Sequence, residues 1–336
     1  MSDEAAAEHA SSAPARRRRW PRLLAWTAAV TLVFGVVAGE IVARFVLGMG
    51  DPPLYIADPQ IEYLPVPSRT YKRFGNTVSY NSYSMRSPEF PARKSDPREL
   101  RIMVLGDSVV NGGNPIDQAD LATTRLPAML RERLDRPVVV GNIACGSWGP
   151  PNLLAYVNKH GLFDADVVVI VLNSEDAADA PTFEPLSPDL PTRRPILALQ
   201  EAFSTYVPKA FSYHVLGRRE KPAPEPAPTD EGRRAALGAL ETLINTARSQ
   251  GARVLIVHHP KLSELTAGRM DSGYDLIRGV AARAGVRMIE TRDEMVRLIT
   301  QEQRGYRDYI HPDEAGQEAL ARLLADELAR MVRDGL

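Results

Sequence analysis

Two short stretches of this 336-residue chain carry side chains with a recognisable chemical purpose. One is RIMVLGDSVVNGG, Arg101 to Gly113; the other is YRDYIHPDEAG, Tyr306 to Gly316. The first places Ser108 directly after an apolar run, between an aspartate and a loop with two glycines. A serine hydroxyl is inert at neutral pH unless a base removes its proton, and histidine is the side chain that titrates in the right range. His311 is such a base, and Asp308, three positions before it, is a carboxylate able to fix its tautomer and stabilise its charged form. If both segments end on one edge of the fold, Ser108, His311 and Asp308 form a nucleophile, a base and an orienting acid. That set performs acyl transfer.

The elements around these residues predict where they lie. Apolar, β-branched runs occur at Ile102–Leu105, Val138–Ile143, Val167–Leu172, Val254–Val257 and Val286–Ile289. Helical patterns separate them at Ala119–Leu134, Asn152–His160, Arg233–Ser249 and Ser272–Ala284, and Glu314–Val332 closes the chain. Strands alternating with helices predict a mostly parallel sheet covered on both faces, and right-handed crossovers make a three-layer α/β/α sandwich. Such sheets keep their chemistry at the carboxyl ends of the strands, where Ser108 falls. Residues 181–230 interrupt the rhythm with ten of the 27 prolines and end in KPAPEPAPTDE, an extended linker pattern. Between those prolines, ILALQEAFSTYVPKAFSYHVLG reads as one or two short amphipathic helices, suited to a lid, a partner surface or plain surface decoration.

Composition narrows the class of function. With 41 basic and 42 acidic residues the chain has no overall field to recruit nucleic acid. A single cysteine, Cys145, rules out an internal disulfide. The six histidines form no metal-ligand motif, so neither a metal nor another cofactor is expected. His258 and His259 read as a satisfied core or rim pair, Cys145 as a small buried hydrophobe, and Trp148 equally as packing or as a sugar-stacking ring.

The N-terminus is organised differently. Residues 1–19 form an Ala/Ser/Glu-rich and then basic tail, read as disordered and cytoplasmic. Arg16 to Arg19 and Arg22 precede the uncharged run Leu23–Gly39. Continued to Leu47, the segment is long enough for roughly 30 Å of hydrocarbon, so residues 20–47 are expected to be a transmembrane anchor. Glu40 and Arg44 stand four apart and can pair on a helix. The arginines orient the N-terminus inward and the remainder outward, at the cytoplasmic membrane with a periplasmic domain. A signal peptide cleaved after Val37-Ala38-Gly39 is the other reading; a buried core helix suits the flanking arginines badly. Residues 48–99, rich in proline, tyrosine and serine, predict short strands at Tyr71–Phe74 and Thr77–Tyr80, either as a stalk or as an edge hairpin on the main domain, residues 100–336.

Gly106-Asp107-Ser108 after a strand, with Asp308-x-x-His311-Pro312 before the last helix, resembles the SGNH/GDSL hydrolase superfamily over about residues 100–335. The resemblance implies a flavodoxin-like α/β/α fold, an esterase, lipase, thioesterase or deacetylase activity, and the roles already given to Ser108, His311 and Asp308. SYNSYSMRSPEF is similar to the Asn-x-x-x-x-Arg preamble of membrane-anchored bacterial members. The family's second block has an asparagine, here Asn142, followed by a glycine whose N–H helps hold the oxyanion; the usual offset lands on Ser147, with Gly146 before it. The third block is normally Gly-x-Asn-Asp. In VIVLNSEDAAD, matching Asp176 puts Glu175 where the oxyanion asparagine belongs, unless a shifted turn brings Asn173 to the site. A glutamate there opposes oxyanion charge, and losing one donor costs about 3–4 kcal/mol. The expected function is an anchored extracytoplasmic serine hydrolase or O-acyltransferase acting on esters, with an acylated carbohydrate as partner. The rival is a non-catalytic binding or scaffolding component of cell-envelope polysaccharide machinery.

Overall fold

The computed structural model describes residues 20–208 and 229–335. The expected disordered tail, residues 1–19, and most of the expected linker, residues 221–231, lie outside them. Nine strands are described: β1 Tyr55–Asp58, β2 Glu62–Pro65, β3 Arg69–Arg73, β4 Asn76–Tyr80, β5 Leu100–Gly106, β6 Val138–Ala144, β7 Val167–Leu172, β8 Arg253–His258 and β9 Arg287–Glu290. The helices used below are α1 Trp20–Ile41, α2 Ser108–Asn111, α3 Ala122–Leu134, α4 Pro150–His160, α5 Ala198–Glu201, α6 Asp230–Ser249, α7 Leu262–Ala267, α8 Ser272–Arg283, α9 Arg292–Thr300 and α10 Glu314–Arg333.

The last five strands form one parallel sheet in the order β6-β5-β7-β8-β9. Every residue of β5 and β7 is buried: β7 is apolar throughout, as a sheet covered on both faces requires, and the one charge in β5, Arg101, is buried with its guanidinium paired to Glu99 at 2.6 Å. Successive side chains divide between two cores. Met103, Leu105, Val168, Ile170 and Ile256 join Leu153, Tyr156, Leu243 and Ile277 on the face covered by α4, α6 and α8. Ile102, Val104, Val167, Val169 and Leu255 join Leu126, Leu130, Leu320, Leu324 and Leu328 on the face covered by α3 and α10. The period of two in the strands and the period near 3.6 in the helices thus meet in a three-layer α/β/α sandwich.

The segment before the sheet is not a free stalk. It folds into two antiparallel hairpins, β1–β2 and β3–β4. It also supplies Ile61, Tyr63, Leu64, Met85 and Phe90 to the same buried cluster as Met103. The β1–β2 hairpin and helices α7 and α9 were not anticipated, since four to nine residues carry too little periodicity to separate them from loops.

Helix α1 buries none of its residues, although it belongs to a 27-residue stretch, Trp20–Val46, whose most apolar 18-residue window has mean hydropathy 1.9. This removes the core-helix reading. The stretch is long and apolar enough to cross a membrane, and a signal sequence near an N-terminus has the same properties.

Candidate active site

Strand β5 ends at Gly106, and the chain turns at once into α2. A Cβ on Gly106 would lie 2.6 Å from Val110 Cγ2 and 3.1 Å from the Val171 carbonyl, so only glycine lets the turn sit against β7. Asp107 caps α2: its Oδ1 accepts from the Val109 N–H at 2.8 Å. Ser108 follows as the first helical residue, half-buried at the carboxyl edge of the sheet.

His311 reaches this edge from the loop before α10. Its Nε2 lies 2.8 Å from Ser108 Oγ, across 203 positions of sequence. Its Nδ1 lies 2.7 Å from Asp308 Oδ2 and 2.9 Å from Oδ1. A carboxylate only accepts, so Nδ1 carries the ring proton and Nε2 is left to accept from the serine hydroxyl. Burial alone raises the Asp308 pKa. The His311 ring and the backbone N–H groups of His311 and Ile310 more than offset this, holding the carboxyl well below the usual carboxylate range.

Four residues outside the expected set hold these groups in place. Arg307 donates through Nη1 to the Gly112 carbonyl at 2.7 Å, joining the histidine loop to the serine loop. The buried His259 donates from Nε2 to the Ile310 carbonyl at 2.9 Å, with Thr291 Oγ1 2.9 Å from Nδ1. Fully buried Arg86 donates to the carbonyls of Asn111 at 2.5 Å, Gly113 at 2.7 Å and Ile116 at 2.6 Å, organising the loop behind α2. It is the arginine of the Asn-x-x-x-x-Arg segment, whose Asn81 caps the local turn by accepting from Tyr83 and Met85. Asp107 is the fourth. Its position inside the first motif was visible; its role was not. Arg307 had no signal except adjacency to Asp308.

The third block turns out differently from its simplest alignment. Asn173 Nδ2 donates to Asp107 Oδ2 at 3.0 Å, so this side chain reaches the Ser108 turn. Its Oδ1 accepts from the Glu175 N–H at 2.7 Å. Glu175 itself pairs with Lys261 Nζ at 2.7 Å, which offsets its charge. The short 3-10 turn Glu175–Ala177 makes this possible, with the buried Asp176 accepting from the Asn173 N–H at 2.7 Å. Burial, and then the charge of Asp107, push the Asp176 pKa well up; burial likewise raises Asp107.

In the second block, Asn142 is buried and donates to the Val110 carbonyl and Thr123 Oγ1, both at 2.9 Å. Ser147 is exposed with a left-handed φ of 55°, while the space where a Cβ of Gly146 would point is open within 4 Å. The Gly146 carbonyl accepts from the Tyr63 hydroxyl at 2.6 Å, which fixes this peptide against β2. Trp148 and Cys145 are buried, so the first packs and the second is an inert hydrophobe whose thiol pKa is raised by burial. His258 is buried beside Ser174 and Tyr274, and burial lowers its pKa to about 4. No group of three or more candidate metal ligands occurs among the described residues.

The class this arrangement defines is a parallel α/β/α domain with a hydrogen-bonded Ser-His-Asp set at the carboxyl edge of its sheet. The chain matches the GDSL-like Lipase/Acylhydrolase family over residues 104–319, and it belongs to that family. Among solved structures it is similar to Axe2, an acetylxylan esterase from Geobacillus stearothermophilus. That likeness has 13% identity and a TM-score of 0.44, over 68% of this chain and 94% of that one. It is also similar to the lipase/acylhydrolase from Enterococcus faecalis, with 18% identity and a TM-score of 0.41 over 69% and 96%. A two-domain esterase active on acetylated mannans is 13% identical, with a TM-score of 0.45 over 69% and 49%. Comparison with curated protein sequences finds no match.

Proposed function

We propose that this chain is a serine esterase or O-acyltransferase that works through Ser108, His311 and Asp308. The observation that carries the reading is the unbroken hydrogen-bond chain from Ser108 Oγ through His311 to Asp308. Ser108 attacks the ester carbonyl as its proton passes to His311 Nε2, and the imidazolium is stabilised by Asp308. His311 then returns the proton to the leaving alcohol, and an acyl-Ser108 intermediate remains. Water completes hydrolysis; an acceptor hydroxyl completes transfer. The second N–H of Asn173 Nδ2 and the backbone N–H groups around Gly146 and Ser147 are the donors proposed for the oxyanion. Glu175, turned to Lys261, no longer argues for the non-catalytic scaffold.

The finer reading is an O-acyl ester carried on a carbohydrate, handled outside the cytoplasm by a domain anchored through residues 20–47. Similarity of the Asn81–Arg86 segment to anchored bacterial members of the superfamily supports it, as does the unburied apolar helix α1. The test is turnover of p-nitrophenyl acetate and fluorophosphonate labelling of the full chain beside Ser108→Ala. Equal turnover, or a label that misses Ser108, refutes the mechanism. A reporter fused after Leu336 that is active in the cytoplasm refutes the topology.

A further inference from the structure

The Pro-rich insertion leaves an apolar stripe in open solvent at one particular height along α1. Ile196 stands two residues before α5, and Leu199, Phe203 and Val207 follow at spacings of four along α5 and the π-helical turn Ala202–Tyr206 that continues it. Leu199 packs on α1 at Gly39, where an added Cβ would lie 3.6 Å from its Cδ2. Beyond that contact the stripe is uncovered: Ile196 is 88% exposed, Phe203 64% and Val207 46%. The tip of the β3–β4 hairpin adds the exposed Phe74, held at a left-handed φ of 52° and edge-on to Tyr206 with ring centroids 5.1 Å apart. Phe45 and Val46, just past α1, are equally bare.

Two charges near the end of the apolar stretch, Glu40 and Arg44, set this surface in place. Glu40 accepts from the N–H groups of Ala198 at 2.9 Å and Leu199 at 3.0 Å, capping the first turn of α5. Arg44 pairs with Glu40 at 2.7 Å and donates to the Ile196 carbonyl at 3.1 Å. Fully buried Arg73 binds Glu201, which also accepts from the Gly50 N–H at 2.6 Å. The insertion is therefore locked to the end of α1. At 1.5 Å per residue, Gly39 stands roughly 28 Å from Trp20, which is about the hydrocarbon thickness of a bilayer. With Trp20 at one boundary, the stripe lies at the other.

We propose that residues 196–207, with Phe74 and Phe45, form a membrane-surface docking face that seats the domain on the lipid interface from which α1 emerges. This rests on the reading of α1 as a retained anchor. A bilayer is the occupant because the face is continuous with the spanning segment, at the interfacial depth, and bordered by the exposed Arg193, whose guanidinium suits a lipid phosphate, while neighbouring Arg194 pairs with Asp51 at 2.7 Å. Glu40 and Arg44 then act as the joint that sets the angle of the domain to the membrane.

The test uses the full chain in vesicles of phosphatidylethanolamine and phosphatidylglycerol, labelled with the environment-sensitive fluorophore NBD at single introduced cysteines. Cys145 is fully buried and stays unlabelled. Phe203→Cys and Val207→Cys probe the stripe, Phe34→Cys the middle of α1, and Leu276→Cys on α8 the solvent side. We expect emission at 203 and 207 to shift to the blue, to be lost to lipids with a shallow doxyl group, and to resist aqueous iodide. Emission at 276 should show the reverse, and at 34 should be lost to deep doxyl lipids. Iodide quenching at 203 and 207 equal to that at 276, with 34 inside the bilayer, overturns the docking face and leaves the anchor standing. Iodide quenching at 34 removes both. A blue shift at 203 without doxyl quenching means a second copy of the chain covers the stripe, and also overturns it.

Discussion

Replacing Asp308 by Asn tests the central geometry with almost no change in shape. The carboxylate accepts from His311 Nδ1 at 2.7 and 2.9 Å and from the N–H groups of Ile310 and His311 at 3.1 and 2.8 Å. An asparagine keeps one oxygen for the two backbone donors, so the loop should hold its fold. Its amide nitrogen, however, then faces Nδ1, which must become an acceptor and surrender its proton to Nε2. In that tautomer Nε2 cannot take the Ser108 proton. Loss of both tautomer and charge in a buried triad costs about 10⁴-fold in turnover. Here the Asp308 side chain is 42% exposed, so water replaces part of its field. We therefore expect about a 10³-fold loss of kcat, roughly 4 kcal/mol in the barrier. The assay is p-nitrophenyl acetate turnover, with the thermal midpoint measured on the same sample. A Tm close to that of the parent and turnover within about tenfold of it, while Ser108→Ala is inactive, would show that Asp308 does not direct the histidine.

Three further outcomes follow from other parts of the site. Asn173→Ala should lower kcat about 10²- to 10³-fold as an oxyanion donor is lost, whereas Glu175→Gln should change it little because that carboxylate faces Lys261; the reverse ranking by steady-state kinetics would restore the simpler alignment of the third block. Arg86→Met leaves the carbonyls of Asn111, Gly113 and Ile116 without their buried donor, so the denaturant midpoint should fall by the equivalent of at least about 3 kcal/mol; a change under about 1 kcal/mol contradicts the bracing role. Asp176 has its pKa raised by burial and by Asp107, so its folded state favours the proton and stability is lost as pH rises from the unfolded pKa toward the folded one. Asp176→Asn keeps the oxygen that accepts from Asn173 and removes that loss. The variant should melt higher than the parent at pH 7, and the gain should vanish below about pH 4; a lower Tm at pH 7 would refute it.

The legible part of this protein was carried by local pattern. Unbroken β-branched runs such as Val167–Leu172 announce strands buried on both faces, and the amphipathic Glu314–Arg333 announces a covering helix. The α/β/α class follows from their alternation. Ser108, Asp308 and His311 could also be singled out, because each sits in a short motif at an element boundary, and the fold brings their side chains within hydrogen-bonding distance. The β1–β2 hairpin was hidden by its brevity, and Arg307 by having nothing periodic or motif-like about it.

By itself, then, the order of residues determined the five strands of the sheet, the helices α3, α4, α6, α8 and α10 that cover it, the family and the three side chains at the edge, since periodicity and motif are properties of neighbours along the chain. Only the tertiary structure decided that Asn173 rather than Glu175 reaches the Ser108 turn. A one-turn 3-10 segment sets that choice, together with a lysine 86 positions away. It alone decided that Arg86 braces the serine loop, that His259 and Arg307 hold the histidine loop, and that Glu40 caps a helix 158 positions downstream. Each is a hydrogen bond between groups distant in sequence. Its energy depends on distance and on exclusion of water, and neither exists until the chain has packed.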